Sequence, residues 1–195
     1  MVVLNGTSSA GKSTLARAIQ ARADVPYLHA GIDPFLERLP QRFVREPVEG
    51  WRVVVRDGRL AELPTIGPRG LALLAANYRA IAAYAAAGGH VVVDDVIYDR
   101  RVLALAVEAL HNLPVLYVAV RCPLEVAEAR ERSRGDRLPG GARVFQAAAH
   151  AFGPYDLEID TSAQTPDECA DTILAAPTRR PHAFAELQRA ASLSS

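Results

Sequence analysis

Apolar runs that end in polar residues recur along the chain, and most of them are separated by alanine-rich stretches with helical spacing. The apolar runs cover residues 2–5, 27–32, 90–96, 114–121 and 156–161. The helical spacing covers residues 12–23, 34–39, 69–87, 99–111, 123–134, 142–151 and 165–175. Strands that alternate with helices predict an α/β fold, in which helices flank a parallel sheet.

The segment 39–70 interrupts this alternation. Asp57 and Gly58 separate two short strand-like runs, a pattern typical of a tight hairpin. Prolines frame the segment at Pro40, Pro47, Pro64 and Pro68. Two interpretations stay open: a surface decoration, or a cover over an acceptor pocket, because irregular insertions often carry function.

The length of 195 residues suits one domain. We expect that domain to span residues 1–176, with a C-terminal tail at 177–195. A short amphipathic segment around residues 184–187 lies in the tail. The pattern leaves open whether this segment docks or stays mobile.

Residues 6–13 read GTSSAGKS and match the phosphate-binding pattern G-x-x-x-x-G-K-[ST] without a gap. A short apolar run precedes them and a helical pattern follows, which is the context that this loop requires. A glycine-serine turn that fits by chance is the alternative, and the context disfavours it. We assign nucleotide contacts to Gly6, Thr7, Ser8, Ser9, Ala10, Gly11, Lys12, Ser13 and Thr14.

Each position of the loop has a physical task. Gly6 and Gly11 supply the turn and let the main chain approach the phosphates. Lys12 is the chain's single lysine. Its compact ammonium suits the β and γ oxygens, whereas the planar guanidinium of arginine favours a two-pronged edge. Ser13 offers a hydroxyl to Mg²⁺.

Two carboxylates end the third apolar run, at Asp94 and Asp95. A carboxylate at the C-terminal end of a buried strand lies where ligands collect in an open sheet. We therefore expect Asp94 to hold the Mg²⁺ shell, with a solvated strand end as the alternative. Asp95 points the other way along the pleat, so it either faces the acceptor or supports Asp94.

Asp33 has two interpretations. The sequence Gly31-Ile32-Asp33-Pro34 is typical of a helix start with aspartate as the N-cap and proline at the next position. The residue also follows the second apolar run, so it should emerge at the same sheet edge as the phosphate loop. A carboxylate there could accept the proton of a hydroxyl that attacks the γ-phosphate. The pattern alone favours the cap.

Residues 130–142 begin with an arginine-rich helix end and continue into a glycine- and proline-rich stretch, which indicates a hinged lid. We expect Arg134 and Arg137 to stabilise charge on the transferring phosphoryl group, as an arginine finger does. Arg130 could stack on adenine. The alternative is a solvated helix end whose arginines pair with nearby glutamates.

Composition narrows the partners. The 22 acidic and 22 basic side chains balance, which argues against a nucleic-acid surface or an anionic membrane. Two distant cysteines and the lack of a secretory pattern favour the reducing cytoplasm. No apolar stretch predicts a membrane span. We therefore expect a small-molecule partner, and the sequence does not determine the oligomeric state.

The motifs together resemble the chloramphenicol phosphotransferase-like P-loop kinases. The shared text is LNGTSSAGKS at 4–13, GID at 31–33, VVVDDV at 91–96, VRC at 120–122, RGDR at 134–137 and YDLEIDTS at 155–162. The resemblance implies a five-stranded parallel sheet of the adenylate-kinase type and transfer of a phosphoryl group from ATP to a hydroxyl. The resemblance also implies that Asp33 is the catalytic base, that Arg134 and Arg137 belong to the phosphate-contacting lid, and that residues 161–166 lie beside adenine.

Residues 35–66 resemble the drug kinase only loosely, so the resemblance leaves the acceptor open. Phe35, Phe43, Trp51 and Tyr98 are candidates to line an apolar acceptor pocket, although each is equally compatible with the core. The function that we predict is an ATP- and Mg²⁺-dependent O-phosphotransferase that acts on an alcohol-bearing antibiotic. The alternatives are a kinase for a nucleoside, sugar or sugar nucleotide, and a non-catalytic nucleotide-dependent switch.

Overall fold

The computed structural model describes residues 1–135, 138–176 and 183–192. Its strands are β1 (Val2–Asn5), β2 (Tyr27–Gly31), β3 (Trp51–Arg52), β4 (Val55–Arg56), β5 (Arg59–Leu60), β6 (Thr65–Ile66), β7 (His90–Asp95), β8 (Leu116–Arg121) and β9 (Leu157–Asp160). Its helices are α1 (Lys12–Arg22), α2 (Ile32–Glu37), α3 (Gln41–Val44), α4 (Pro68–Ala86), α5 (Arg100–Leu110), α6 (Leu124–Arg134), α7 (Gly141–Phe145), α8 (Pro166–Ala175) and α9 (Ala183–Ser192), with a 3₁₀ turn at Ala148–His150.

The five predicted apolar runs form one five-stranded sheet in the order β2-β7-β1-β8-β9, and every pair in it is parallel. Helices cover both faces. Successive strand residues alternate between two cores: Val3 packs with α4 and α5, whereas Leu4 packs with α1 and α8. None of the described helices is long and apolar enough to cross a membrane.

The strand order places β1 between β7 and β8, so the chain changes direction across the sheet at this point. The register aligns Leu4 with Asp94 and Asn5 with Asp95. Gly31 at the end of β2 also pairs with Asp94. Ligands of open α/β sheets bind in the crevice at such a switch point. The topology therefore brings the phosphate loop, the carboxylates and the start of α2 to one edge.

The insertion at 39–70 contains the predicted hairpin. β4 pairs with β5, and the turn between them uses Asp57 at φ 49° and Gly58 at φ 70°. Positive φ at both central residues is the geometry of a tight hairpin turn. A second antiparallel pair, β3 with β6, encloses the hairpin and buries Trp51 and Ile66. The sequence did not predict this outer pair, because each strand is only two residues long.

The predicted helix over 142–151 is wrong in extent. α7 ends at Phe145, and the chain continues into the 3₁₀ turn. The carbonyl of Ala149 accepts a hydrogen bond from the Asn5 side chain at 2.6 Å, and the Gln146 side chain donates to the Cys122 carbonyl at 3.2 Å. These tertiary bonds hold the segment against the end of β1 and do not follow helical spacing.

The C-terminal tail docks in its described part. α9 packs on α5 and β8, and its Phe184 is only 3% exposed. The amide of Ala183 donates to Asp156 Oδ1 at 3.0 Å. Of the two interpretations of this segment, the structure therefore supports docking.

Candidate active site

The phosphate loop has a turn with left-handed backbone at Ser9 (φ 60°) and Gly11 (φ 95°). Gly11 is the N-cap of α1, and no side chain caps that helix. The first N–H groups of α1 therefore remain available to an anion. At Gly6 a Cβ would lie 2.4 Å from the Val120 carbonyl oxygen, so close packing on β8 requires this glycine, and its approach to the phosphates stays a prediction.

Lys12 is 6% exposed and lies within the loop. Its Nζ donates to the Thr7 carbonyl at 2.9 Å and lies 3.9 Å from Asp94 Oδ1. The hydroxyl of Thr7 in turn donates to the Ala142 carbonyl at 2.9 Å. Thr7 thus joins the loop to α7, and Lys12 bridges the loop and the end of β7.

Ser13 and Asp94 meet at the start of α1. The Ser13 hydroxyl donates to Asp94 Oδ2 at 2.5 Å, and His29 Nε2 lies 3.4 Å from the same oxygen. Burial acts to raise the pKa of Asp94, but the His29 imidazole, the Lys12 ammonium and the Ser13 hydroxyl together lower it below its ordinary value. An ionised carboxylate beside a hydroxyl is a set of hard oxygen donors, which fits Mg²⁺.

Asp33 lies in the first turn of α2, and its prediction as the N-cap is wrong. The helix begins at Ile32 with Gly31 as the N-cap, and no side chain forms the usual cap bond there. The Ile32 amide is instead bonded by a neighbouring strand: it donates to Asp95 Oδ1 at 2.7 Å. Asp33 is exposed and lines the cavity described below.

Asp95 is 1% exposed and does not line that cavity. Its Oδ2 accepts a hydrogen bond from the Tyr78 hydroxyl at 2.7 Å. Burial raises the pKa of Asp95 to about 7, against the two hydrogen bonds, which lower it. The sequence left open contact with the acceptor or support of Asp94, whereas the two hydrogen bonds of the Asp95 carboxylate hold α2 and α4.

A cavity of about 310 Å³ lies between the phosphate loop, α2 and the insertion. Its polar end contains Ser8, Ser9, Gly11, Lys12, Ser13, Thr14, Asp33, Asp94 and Arg134. Most of its remaining wall is apolar, formed by Ile32, Leu36, Val44, Trp51, Val53, Pro64, Ile66, Leu74, Val96, Tyr98, Val102 and Phe145, with Arg45. The insertion therefore forms part of the cavity wall.

The four predicted aromatic residues divide into two pairs. Trp51 and Tyr98 line the cavity, and Phe35 and Phe43 do not. Phe35 packs against the core beneath α2. Phe43 is 40% exposed, with the Arg42 guanidinium 4.8 Å from its ring centre. The sequence could not separate the pairs, because all four are apolar residues near the same segments.

The lid begins at the end of α6. Arg134 faces the cavity, whereas Arg137 lies outside the described residues. Glu131 is 8% exposed, and its carboxylate accepts the amides of Gly140 at 2.8 Å and Ala142 at 2.9 Å. Glu131 therefore holds residues 140–142, at the C-terminal end of the lid, through two backbone hydrogen bonds.

Arg130 lies on the other side of the phosphate loop. Its guanidinium donates to Thr161 Oγ1 at 3.0 Å and to the Thr161 carbonyl at 2.8 Å. Arg130, Thr161, Pro166 and Gly11 line a second cleft of about 330 Å³. This cleft adjoins the start of α1, and the adenine contacts expected of Arg130 and residues 161–166 stay predictions.

The sequence analysis missed three residues of the site: His29 beside Asp94, Tyr78 on Asp95, and Glu131, which binds the amides at the C-terminal end of the lid. We call Glu131 and residues 139–142 the lid stem. His29 has a weak signal, since it lies two residues before Gly31 on a strand that ends at the site. Tyr78 and Glu131 have none, because a helical tyrosine and a glutamate between arginines are typical of ordinary helix surfaces. Their partners come from distant parts of the chain.

Comparisons with known proteins identify the family of this chain. A family model described as chloramphenicol phosphotransferase-like protein matches residues 1–177. Two Mycobacterium tuberculosis proteins, from strains CDC 1551 and H37Rv, are provisionally named O-phosphotransferases. Each is 40% identical to this chain over 177 residues, which cover 87% of this chain and 78% of the relative.

Solved structures with a similar fold include kinases and a resistance protein. A sugar kinase from Janibacter aligns with a TM-score of 0.61 at 20% identity, over 89% of this chain and 91% of its own. A tunicamycin resistance protein from Deinococcus radiodurans aligns with a TM-score of 0.59 at 18% identity, over 89% of this chain and 93% of its own. The M. tuberculosis APS kinase in complex with AMPPNP and APS aligns with a TM-score of 0.56 at 17% identity, over 89% of this chain and 94% of its own.

At these identities the structural likeness shows the fold alone, which is that of P-loop kinases with a five-stranded parallel sheet. The family model extends over nearly the whole chain, including the phosphate loop, both strand-end carboxylates and the lid, and the mycobacterial relatives cover 87% of the chain. The chain therefore belongs to the chloramphenicol phosphotransferase-like family.

Proposed function

We propose that this protein transfers the γ-phosphoryl group of ATP to a hydroxyl of a small molecule with a largely apolar body, and that an alcohol-bearing antibiotic is its substrate class. Membership of a phosphotransferase family supports the reaction class. One observation supports the transfer site and the apolar acceptor: Lys12, Asp33 and Arg134 line a single cavity whose opposite wall is mostly apolar. A polar sugar would leave its hydroxyl groups against that wall without partners, at a cost in free energy.

Asp33 acts as the base in this proposal. Its carboxylate accepts the proton of the acceptor hydroxyl while the hydroxyl oxygen bonds to the γ-phosphorus. The bond from that phosphorus to the β-γ bridging oxygen breaks, and ADP leaves. Lys12 and Arg134 neutralise the charge on the transferring group and on the leaving phosphate, an electrostatic effect that is strong in a partly buried site.

Ser13 and Asp94 would hold Mg²⁺, which when bound neutralises charge on the phosphate oxygens. The lowered pKa of Asp94 keeps its carboxylate ionised at neutral pH. The N–H groups at the start of α1 orient the phosphates, and Arg130 and Thr161 border the cleft that we assign to adenine. Most of the acceleration is therefore positional and electrostatic.

The proposal is tested with purified protein, Mg-ATP and a panel of hydroxylated antibiotics that includes chloramphenicol, alongside nucleosides and sugars. ADP release and product mass are measured together. We expect ADP release that depends on the acceptor and a product heavier by one phosphoryl group. A product formed only with a sugar or nucleoside would support the alternative kinase. Hydrolysis of ATP that does not depend on an acceptor and yields no phosphorylated acceptor would favour the nucleotide-dependent switch and contradict the proposal.

Asp33→Asn tests the base. The amide cannot take the proton, so we expect kcat to fall by about 10²–10⁴-fold while nucleotide affinity is retained. Glu37→Gln is the matched control, since Glu37 lies in the same helix but does not line the cavity. Unchanged transfer by Asp33→Asn would remove the base from the mechanism.

A further inference from the structure

Asp95 holds the backbone immediately before Asp33. Its Oδ1 accepts the Ile32 amide at 2.7 Å, and its Oδ2 accepts the Tyr78 hydroxyl at 2.7 Å. The carboxyl group is 1% exposed and lies outside the cavity. Burial of a carboxyl group is costly unless its oxygens are bonded, and here both oxygens have a donor. The arrangement connects β7, α2 and α4.

Packing holds α2 only in part, because Ile32, Phe35 and Leu36 contact the core from partly buried positions. The helix is six residues long, none of its residues is fully buried, and no side chain caps its N-terminus. The backbone before it is fixed at Gly31, where a Cβ would lie 2.2 Å from the Asp94 carbonyl oxygen. The bond from Ile32 to Asp95 is therefore the next fixed point along the chain, one residue before Asp33.

We propose that Asp95 is a positioning residue that holds the first turn of α2 so that the Asp33 carboxylate is aimed at the acceptor hydroxyl. This inference rests on the proposed function, because it takes Asp33 as the base. A reacting group that is misplaced by about 1 Å loses about 10²-fold in rate. A released Ile32 amide lets the whole first turn move, and Asp33 moves with it.

The experiment compares Asp95→Ala with Asp95→Asn. Alanine removes the acceptor of the Ile32 amide, so we expect kcat to fall by about 10–100-fold. Asparagine is the conservative control: its oxygen can accept the Ile32 amide and its amide group can donate to the Tyr78 hydroxyl oxygen. We expect this variant to retain kcat within about threefold of the wild type.

Nucleotide affinity separates positioning from damage to the phosphate site. We expect both Asp95 variants to bind a non-hydrolysable ATP analogue, and to show an acceptor KM, within about threefold of the wild type, because only the aim of Asp33 has changed. Loss of kcat in equal measure with asparagine and alanine would overturn the proposal. So would a folded Asp95→Ala enzyme with normal kcat.

A double-mutant cycle with Asp33→Asn decides whether Asp95 acts through Asp33. We expect Asp95→Ala to cause no further loss of kcat when Asp33 is already asparagine. Independent, multiplicative losses would overturn the positioning role and leave the base intact. Normal transfer by Asp33→Asn alone would overturn the proposed function itself, so the two failures are distinguishable.

Tyr78→Phe keeps the test decisive if Asp95→Ala does not fold. The ring remains and only the hydroxyl that holds Asp95 is removed. We expect a severalfold fall in kcat that also disappears in the Asp33→Asn background, with unchanged nucleotide affinity. A folded Tyr78→Phe enzyme whose kcat equals that of the wild type would overturn the proposal.

Discussion

A cluster of polar side chains lies directly behind the phosphate loop, at the end of β1. Asn5 is fully buried, and its amide group donates to the Ala149 carbonyl at 2.6 Å and to the Tyr155 hydroxyl oxygen at 2.9 Å. Its Oδ1 accepts the Ile97 amide at 2.8 Å. A buried polar cluster stabilises a fold only when its members are bonded. Asn5 therefore fixes the segments that follow β7 and α7 beside the site.

His150 borders this cluster and gives a pH-dependent prediction. Its ring centre lies 5.9 Å from that of Tyr155. Burial, with the nearby Arg121 charge, lowers the pKa of His150 to about 4, whereas its ordinary value is 6.5. Between these values the unfolded state binds more protons than the folded state. The stability that the neutral, buried His150 contributes to the folded state is therefore complete above pH 6.5 and is lost as the pH falls towards 4.

We therefore expect His150→Gln to flatten the acid side of the stability profile. The wild type should lose on the order of 1 kcal/mol more folding free energy than the variant between neutral pH and pH about 4, since partial exposure screens the charge. Urea denaturation at a series of pH values measures this difference. Parallel profiles for the two proteins would contradict the assignment.

At the scale of elements, the lid stem and the insertion contact each other. The Leu60 amide at the end of β5 donates to the Pro139 carbonyl at 2.7 Å, and Glu131 of α6 binds the amides of Gly140 and Ala142. Thr7 of the phosphate loop bonds to Ala142 as well. The end of the lid is thus connected to the nucleotide side and to the acceptor side of the cavity.

Two lid glycines with left-handed backbone provide a matched test of this contact. A Cβ at Gly140 (φ +103°) would lie 2.6 Å from the Leu60 carbonyl oxygen, whereas a Cβ at Gly135 (φ +65°) meets no atom of the described residues within 4 Å. Alanine costs about 1–2 kcal/mol at either site through backbone strain. We expect Gly140→Ala to cost about 1–3 kcal/mol more, because the hairpin must move.

Chemical denaturation measures the two losses, and steady-state kinetics measures the acceptor KM. Since Val53 and Pro64 of the insertion line the cavity, displacement of the hairpin should raise the acceptor KM in Gly140→Ala and leave it unchanged in Gly135→Ala. Equal stability losses and equal KM values would mean that the contact between insertion and lid has no effect.

At the scale of the whole molecule, the sheet separates two hydrophobic cores that support different parts of the structure. The core on the side of α1 and α8 supports the phosphate loop, and the core on the side of α4 and α5 includes Trp51, Ile66 and Phe184. The ring of Phe184 packs edge-on against Tyr117 with centres 5.1 Å apart. The C-terminal helix is therefore part of the core on the face opposite α1 and α8.

Removal of the Phe184 ring should affect stability and not nucleotide binding. We expect Phe184→Ala to lower the free energy of unfolding by about 3–5 kcal/mol through lost burial and a residual cavity. The affinity for an ATP analogue should be unchanged below the melting transition. Glu186→Ala, on an exposed position of the same helix, is the control and should change stability little. A loss confined to the control level would mean that α9 is not docked in solution.

The sequence by itself determined the parts of this protein that depend on local pattern. Alternating strands and helices predicted the parallel sheet, and the Asp57-Gly58 turn predicted the hairpin, because both signals come from neighbouring residues. The spacing of the phosphate loop and the strand-end position of Asp94 placed Lys12, Ser13 and Asp94 at one edge. The arginine-rich pattern of residues 130–142 predicted the lid, and the resemblance to a kinase family favoured Asp33 as the base over the cap.

Only the tertiary structure decided the contacts between distant segments. It showed that Asp95 and not Asp33 binds the first amide of α2, that Glu131 fixes the lid stem, and that Gly6 is required by β8. It also separated Trp51 and Tyr98, which line the cavity, from Phe35 and Phe43, which do not. These outcomes depend on which side chains meet after folding, and a linear pattern carries no information on a partner that lies tens of residues away.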